Sequence, residues 1–584
     1  MKTIMRMTGV AGVFAAVLYV YADTGSFSET LQPGAGSSVT LDAPSGVSTQ
    51  TSFTVLSAAG SQALRAWTEN QISDYGGNED YGLRLNTATV TAEDVDGRTK
   101  ITFAGGETYS RKFELYDGAD LVINGGTFTN SLSFAAGPSD SNLKTAEQTV
   151  TVKGGATVQL LSRINNFPGN WGNLTRLNVE NGTINFAHSG VAYPATAQFK
   201  IGSSAGSTGI VEVAAGSTIR TSAYAKFVYP AGTVQETEIA ISSFGPRMVF
   251  GGMDSNASRA QHGVGILNLH GTAALGGGFR IGSPDSVINV YNGGKLLPNV
   301  NCTCEILSGT LNFYEGSDSD IRMLNIGAGG GGGGTGIINV YGGNLRVLGD
   351  PETYRGLTMP TANNAKSRAE LNLLGGNFET RRLAPNYKSN ATNNIAVGGK
   401  GWIRVVANGG SVSPFFSGTY PSNPDHDPHE NKLFISGLDE AILGPKGLTV
   451  NVNGRYYSNG WISVNWPIGT TQDFTNMVDA VSGLETEGRL IITGSTAGEF
   501  YYNSLVSHHA VTELKGGTTF ITNGADTASQ KLIISGGCLA LSNDYNNVTV
   551  KDLVFGGANG AGTIITDGTG ALTATDTLTV ESHN

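Results

Sequence analysis

The sequence predicts an all-β fold, a parallel β-helix (β-solenoid) with an N-terminal cap and a lateral insertion. Three observations predict it: short apolar segments alternate with period two, each ends in one or two glycines, and the same line recurs along the chain. GIINVYGGNLRV at 336–347 nearly copies VINVYNGGKLL at 287–297. Because a single line cannot bury its own apolar face, we expect the copies to stack as rungs.

The repeated line consists of an alternating apolar strand, a glycine turn and a second short strand. Glycine closes each strand because it accepts positive φ without a steric cost. The inward positions are expected to form continuous apolar columns, filled by Ile288, Val290, Leu311, Phe313, Ile338, Val340, Leu371 and Leu373. Further copies are LVINGGTF (121–128), VTVKGGATV (150–158), LNVENGTINF (177–186), VEVAAGSTI (211–219), LNLHGTAAL (267–275), LNLLGGNF (371–378), IRVVANGGSV (403–412) and LIISGGCLAL (532–541).

The presence or absence of the repeated line divides the chain into regions. Residues 23–115 lack it and are predicted to form the N-terminal cap, whereas 116–420 form the glycine-rich solenoid. Residues 421–500 break the rhythm and are predicted to be a loop-rich insertion with a short helix, because TQDFTNMVDAVSGLET at 471–486 has apolar residues at helical spacing. Residues 501–584 continue the solenoid, and the stop after the strand-like LTV predicts a truncated chain.

The first 22 residues have the pattern of a secretory signal peptide. Lys2 and Arg6 precede an apolar stretch at 9–20, and small residues lead to a cleavage site before Asp23. The apolar stretch is shorter than the roughly 20 residues that a membrane-spanning helix needs. We therefore expect an exported protein, extracellular or on a bacterial cell surface, without a transmembrane segment.

Composition narrows the classes of partner. Glycine supplies 83 of 584 residues, well above its average share of about 7%. The net charge of −11, with no basic stripe, argues against nucleic acid, because phosphate binding requires clustered Lys and Arg. With 39% hydrophobic residues the chain can bury a sizeable core.

Two glycine-rich lines carry a resemblance to a known group of proteins. IGSSAGSTGIVEVAAGST at 201–218 and IGAGGGGGGTGIINVYGGNL at 326–345 resemble the repeats of bacterial autotransporter passengers and of pectin-lyase-like right-handed parallel β-helices. The resemblance covers 116–420 well and 500–584 loosely. It implies a secreted β-solenoid and leaves activity open, because adhesins and polysaccharide-degrading enzymes share this fold.

The residues that alternate with the inward positions form the candidate binding face. Amides and rings recur there, and they are expected to make a column of amides beside a partial column of aromatics. One interpretation is structural, since stacked amides hydrogen-bond from rung to rung. The other is a glycan-binding face, where sugar rings pack on aromatic planes and amides bind hydroxyls. The residues are Asn268, His270, Asn289, Tyr291, Asn312, Tyr314, Asn339 and Tyr341.

Motifs that suggest chemistry lack the context that the chemistry needs. Ser204 sits in a G-x-S-x-G pattern but precedes a strand, whereas a nucleophile elbow precedes a helix. The segment PDHDPHE at 424–430 offers carboxylate and imidazole ligands without a defining spacing. Cys302 and Cys304 are expected to be buried thiols, with a local bridge or a metal site as alternatives. No catalytic residue, metal site or cofactor is assigned.

The sequence thus favours a non-catalytic, secreted or surface-exposed solenoid with a structural or adhesive role, its partner a polysaccharide or cell-surface glycan. The alternative is a polysaccharide lyase or glycoside hydrolase on the same scaffold. Such an enzyme would gather carboxylates or basic groups in one lateral groove. The charged residues, 14% of the chain, are instead scattered singly.

Overall fold

A computed structural model of the 584-residue chain divides into two compact units, Met1–Cys304 and Glu305–Asn584. The structure describes residues 19–21, 27–43, 47–67, 82–116, 118–136, 147–160, 164–167, 174–188, 198–202, 206–228, 235–238, 247–251, 263–298, 302–327, 334–347, 357–358, 367–373, 376–380, 383–384, 392–397, 402–406, 440–444, 447–452, 455–458, 478–479, 489–502, 511–521, 529–541, 547–566 and 570–581. These residues contain strands and turns and no helix, which confirms the all-β prediction.

The first unit is built from short strands that follow the repeated line. They are β1 (Tyr19–Tyr21), β2 (Phe27–Leu31), β3 (Ser38–Asp42), β4 (Val47–Leu56), β5 (Gln62–Trp67), β6 (Leu83–Asn86), β7 (Thr89–Val95), β8 (Arg98–Ala104), β9 (Glu107–Leu115), β10 (Ala119–Asn124), β11 (Thr127–Ala136), β12 (Gln148–Lys153), β13 (Thr157–Leu160), β14 (Ile164–Phe167), β15 (Leu174–Glu180), β16 (Thr183–His188), β17 (Gln198–Ile201), β18 (Thr208–Val213), β19 (Thr218–Val228), β20 (Gln235–Glu238), β21 (Arg247–Phe250), β22 (Val264–Leu269), β23 (Thr272–Leu275), β24 (Phe279–Val290) and β25 (Lys295–Pro298).

Strand pairing in this unit changes from a mixture of parallel and antiparallel pairs to mainly parallel pairs along the chain. β3 pairs with β7, β7 with β8, and β9 with both β5 and β6, all antiparallel. From β10 onward the strands of the repeated line pair in parallel, in the order β8-β10-β12-β15-β18-β22-β24. A second parallel ladder runs β9-β11-β13-β16-β19-β23-β25. The antiparallel part lies within the stretch predicted as a cap.

A third parallel ladder joins β11, β14, β17, β21 and β24. Successive passes of the chain thus contribute one strand to each of three ladders. Parallel partners need a crossover between them, and here the crossover consists of the strands of the other two ladders. The arrangement is compatible with a β-helix.

The interior is formed by the inward positions, stacked one above the next. Val150, Leu177, Val211, Leu267 and Ile288 are successive register partners, and none is more than 2% exposed. Outward neighbours on the same strands are half-buried, so the period-two prediction is confirmed for them. Each fully buried aliphatic side chain contributes about 1.5–3 kcal/mol, and stacking repeats this contribution at every rung.

The two glycines of the turn after β24, Gly293 and Gly294, have separate roles. In the turn after β24 the amide of Gly294 donates to the carbonyl of Tyr291 at 2.8 Å, and Gly293 has φ 78°. A side chain at Gly293 would be strained by this positive φ. Gly294 has an ordinary φ, but a Cβ there would collide with the carbonyl oxygen of Leu269 on the neighbouring rung. The first glycine therefore makes the turn and the second permits the stacking.

The second unit continues the same pattern, and the division from the first falls within β26. Its strands are β26 (Thr303–Phe313), β27 (Asp318–Asp320), β28 (Met323–Ile326), β29 (Gly334–Val340), β30 (Asn344–Val347), β31 (Leu357–Thr358), β32 (Ser367–Leu373), β33 (Asn377–Thr380), β34 (Leu383–Ala384), β35 (Thr392–Val397), β36 (Trp402–Val406), β37 (Glu440–Gly444), β38 (Gly447–Val452), β39 (Arg455–Ser458), β40 (Val478–Asp479), β41 (Arg489–Gly494), β42 (Glu499–Tyr502), β43 (Val511–Leu514), β44 (Thr518–Ile521), β45 (Ser529–Ile534), β46 (Cys538–Leu541), β47 (Asn547–Phe555), β48 (Thr563–Thr566) and β49 (Ala571–Val580).

Parallel pairing in the second unit is interrupted at one place among the described residues. β27, β30, β33 and β36 pair in parallel, then β36–β37 and β37–β38 pair antiparallel. Parallel order resumes through β38, β41, β43, β45, β47 and β49, and beside it through β39, β42, β44, β46 and β48. The hairpin β37–β38 lies inside the predicted insertion.

The predicted helix at 471–486 is wrong where the structure describes it. Val478 and Asp479 form β40, which pairs in parallel with Ile395 and Ala396 of β35. Pairing with a neighbouring strand thus overrides a helical spacing of apolar residues at this place. The rest of that segment lies outside the described residues, as do residues 1–18 of the predicted signal peptide. Tyr19–Tyr21, the end of its apolar stretch, forms β1 against β3.

Candidate binding face

The predicted outward amides occupy one register position in each unit. In the first unit Asn268 of β22 pairs with Asn289 of β24, and in the second Asn312 of β26 pairs with Asn339 of β29. In-register parallel stacking places identical side chains directly above each other. We call these register positions the amide column of each unit.

Hydrogen bonds run along the amide column of the first unit in one direction. The Nδ2 of Asn289 donates to Oδ1 of Asn268 at 2.9 Å, and Nδ2 of Asn268 donates to Oε1 of Glu212 at 2.6 Å. Glu212 lies one rung below, in register with Asn268. A carboxylate only accepts hydrogen bonds, so the chain of donors can end on it.

The amide column of the second unit runs through the register partners Asn312, Asn339 and Asn372, and it is more buried at Asn312. The Nδ2 of Asn339 donates to Oδ1 of Asn312 at 2.9 Å. Asn312 is only 9% exposed, and Leu311 and Phe313 on either side are fully buried. The Asn312 side chain therefore lies in the predicted column, with little of its surface open to a ligand.

The predicted rings stack in pairs, and they form the ring column of each unit. His270 and Tyr291 lie with centroids 4.5 Å apart and planes 9° apart, and Tyr314 and Tyr341 lie 5.1 Å and 14° apart. Tyr341 is 43% exposed. Parallel rings at this separation cover one face of each other. The stacking leaves less open ring surface than the sequence predicted for sugar binding, and it stabilises the rungs instead.

Two residues that complete the face in the first unit were not among the predicted site residues. Glu212 lies in the amide column, and Ala214 lies in the ring column, because the amide of His270 donates to the carbonyl of Val213 at 2.8 Å. Aligning VEVAAG with LNLHGT would have placed Glu212 opposite Asn268 and Ala214 opposite His270. They were not predicted because the face was defined by amides and rings, whereas Glu212 is a carboxylate and Ala214 carries only a methyl group.

The three cysteines are free. Cys302 and Cys304 are 4% and 0% exposed, which confirms the prediction of buried thiols, and Sγ of Cys302 donates to the carbonyl of Gly276. Burial raises the pKa of the Cys302 thiol to about 11 and also raises the pKa of Cys538. A thiol with so high a pKa is a poor nucleophile near neutral pH.

Arg98 and Asp120 form an ion pair between neighbouring strands. Arg98 donates to both carboxylate oxygens of Asp120, and the Asp120 carboxylate also accepts from the amide of Thr149. Burial, reinforced by the carboxylate of Glu107, raises the pKa of Tyr109 to about 12. Within the residues that the structure describes, no three His, Cys, Asp or Glu side chains group so as to hold a metal ion. Ser204 and the segment 424–430 lie outside those residues.

Among the described residues no helix has the length and apolar character needed to cross a membrane. No protein-family model, curated protein or solved structure matches the chain.

Proposed function

We propose that the chain is an exported β-solenoid with a structural or adhesive role, and that its outer face binds polysaccharide without catalysis. The observation that carries the proposal is the repeated outer face itself. In both units the same line of sequence places amides over amides and rings over rings, above an interior built largely from apolar side chains.

A face of this kind suits a long, regular ligand. Outward side chains recur at the rung spacing of about 4.8 Å, so the face presents the same groups repeatedly along the stack. Amides offer both donors and acceptors to hydroxyls, and ring edges and faces contact the apolar side of a sugar. The stacked columns are held by one another, so little side-chain entropy is lost on binding.

Export is proposed from residues 1–22 alone. The signal peptide predicts that the full chain, expressed in a bacterial host, is recovered outside the cytoplasm and begins near Asp23. Cell fractionation and N-terminal sequencing of the recovered protein measure this. Recovery of the uncleaved chain from the cytoplasm would contradict the localisation but not the fold.

Binding is tested on insoluble polysaccharides and a glycan array, with the full chain. We expect retention on at least one polysaccharide and no release of shortened products on long incubation. Release of products would favour the lyase or hydrolase alternative. No retention on any glycan, with native circular dichroism, would leave a structural role and overturn the adhesive one.

A further inference from the structure

The amide column and the ring column of the first unit both change residue type at the same rung. Going from β24 to β22 to β18, the amide column reads Asn289, Asn268, Glu212, and the ring column reads Tyr291, His270, Ala214. The rung of β18 therefore replaces an amide by a carboxylate and a ring by a methyl group. Glu212 lies in β18, and Ala214 directly follows the last residue of that strand, two positions along the chain from Glu212.

The methyl group of Ala214 leaves one face of His270 uncovered by a ring. Tyr291 covers the opposite face at 4.5 Å, and the imidazole is exposed. The next residue down the ring column after Ala214 is Glu180, because the amide of Ala214 donates to the carbonyl of Val179. From the His270 rung to the Glu180 rung is about 10 Å, two rung spacings. We call this gap over Ala214 the notch.

The walls of the notch have complementary chemistry. One wall is the flat face of His270, and the other carries the exposed carboxylate of Glu180. At its side lies Glu212, whose Oε1 accepts from Asn268 at 2.6 Å, which fixes the carboxylate in place. Two carboxylates beside an aromatic plane accept hydrogen bonds from a ligand whose flat, apolar side rests on the ring.

We propose that the notch is a binding subsite for one pyranose ring of an uncharged polysaccharide, an inference that rests on the proposed function. A sugar ring packs on an aromatic plane at van der Waals distance, about 3.5–4.0 Å, so one ring fits between the His270 and Glu180 rungs. Its hydroxyls donate to the carboxylates of Glu212 and Glu180. The polar outward residues beside the notch, Asn178 and Asn268, hydrogen-bond a neighbouring sugar of the same chain.

The charges of the notch select the class of glycan. Glu180 and Glu212 repel uronate and sulfate groups, and the net charge of −11 adds to that repulsion. Hydroxyls, in contrast, are donors that a carboxylate binds strongly. The subsite therefore favours neutral hexose or N-acetylhexosamine polymers over polyuronates.

The test measures binding of four soluble hexasaccharides by calorimetry: those of glucose, mannose, N-acetylglucosamine and galacturonate. The wild-type chain is expected to bind at least one neutral hexasaccharide and to bind hexagalacturonate more weakly. Ala214→Tyr fills the notch with a ring that the column already holds at Tyr291, so the variant is expected to fold and to bind at least about tenfold more weakly. Glu212→Gln, of nearly equal size, is expected to bind about three- to tenfold more weakly.

The matched control is Glu93→Gln, which neutralises a carboxylate that pairs with Lys100 at 2.7 Å in the predicted cap, outside both columns and the notch. It is expected to keep the affinity within about twofold. Unchanged binding in both Ala214→Tyr and Glu212→Gln would overturn the notch and leave the proposed function standing. Tighter binding of hexagalacturonate than of every neutral probe would overturn the assigned glycan class. If no probe and no insoluble polysaccharide binds the wild-type chain, both proposals fall.

Discussion

The amide and ring columns of the two units are built from nearly the same line of sequence, yet they present different surfaces. In the second unit the rings of Tyr314 and Tyr341 stack. Asn339 donates a hydrogen bond to Asn312, and Asn312 is 9% exposed. In the first unit the corresponding columns change to Glu212 and Ala214 at the notch. The repeated line thus forms the scaffold, and the candidate site lies where Glu212 and Ala214 replace the amide and the ring of that line.

The largest expected effect breaks the scaffold that both columns share. Leu269 and Phe313 are fully buried directly behind the columns of their units. Leu269→Ala is expected to cost about 2–5 kcal/mol and Phe313→Ala about 3–5 kcal/mol, because each leaves a cavity in a stacked core. Urea titration followed by circular dichroism measures both. A cost below about 1 kcal/mol in either would contradict close packing at that rung.

The amide columns are compared by Asn268→Ala and Asn339→Ala. Asn268 donates to the carboxylate of Glu212, whereas Asn339 donates to the amide oxygen of Asn312. We expect losses of about 2–3 kcal/mol for Asn268→Ala and about 1 kcal/mol for Asn339→Ala, since a bond to a charged group contributes more. The same urea titration provides the values. Equal losses would mean that the carboxylate end of the first column adds no stability.

The ring columns are compared by His270→Ala and Tyr341→Ala. Each variant removes one ring of a stacked pair and is expected to lose about 0.5–1.5 kcal/mol of unfolding free energy beyond the lost buried area. Their stabilities should therefore be similar, while only His270→Ala weakens the binding of a neutral hexasaccharide. Calorimetry on both variants separates the two properties. Equal loss of binding would place sugar contacts in both units.

The smallest expected effect concerns the ion pairs between rungs. Asp120 accepts from Arg98 through both oxygens and from the amide of Thr149, whereas Asp318 accepts from Arg346 at 2.7 Å. Asp120→Asn is expected to cost about 1 kcal/mol and Asp318→Asn about half of that or less, since exposed pairs contribute little. Repeating the titration in 1 M salt should shrink both differences. A larger cost for Asp318→Asn would reverse this ranking.

Much of the fold was predictable because it follows from local rules. Alternation along β22 and β24 places Leu267, Leu269, Ile288 and Val290 inside, and the structure buries all four. The helix predicted around Val478 was wrong, because the spacing of a few apolar residues cannot tell a helix from a strand that a neighbouring edge recruits. The burial of Asn312 was not predicted, because alternation along the strand alone placed it among the outward residues.

The sequence by itself determined which side of each strand is apolar and where glycine must end it, because both depend on the steric geometry of adjacent residues. Only the tertiary structure decided which rung lies on which. Asn289 reaches back 21 residues to Asn268, but Asn268 reaches back 56 to Glu212. The length of chain between rungs varies, so the pairing of His270 with Ala214 depends on how whole rungs pack, and the notch exists only after they do.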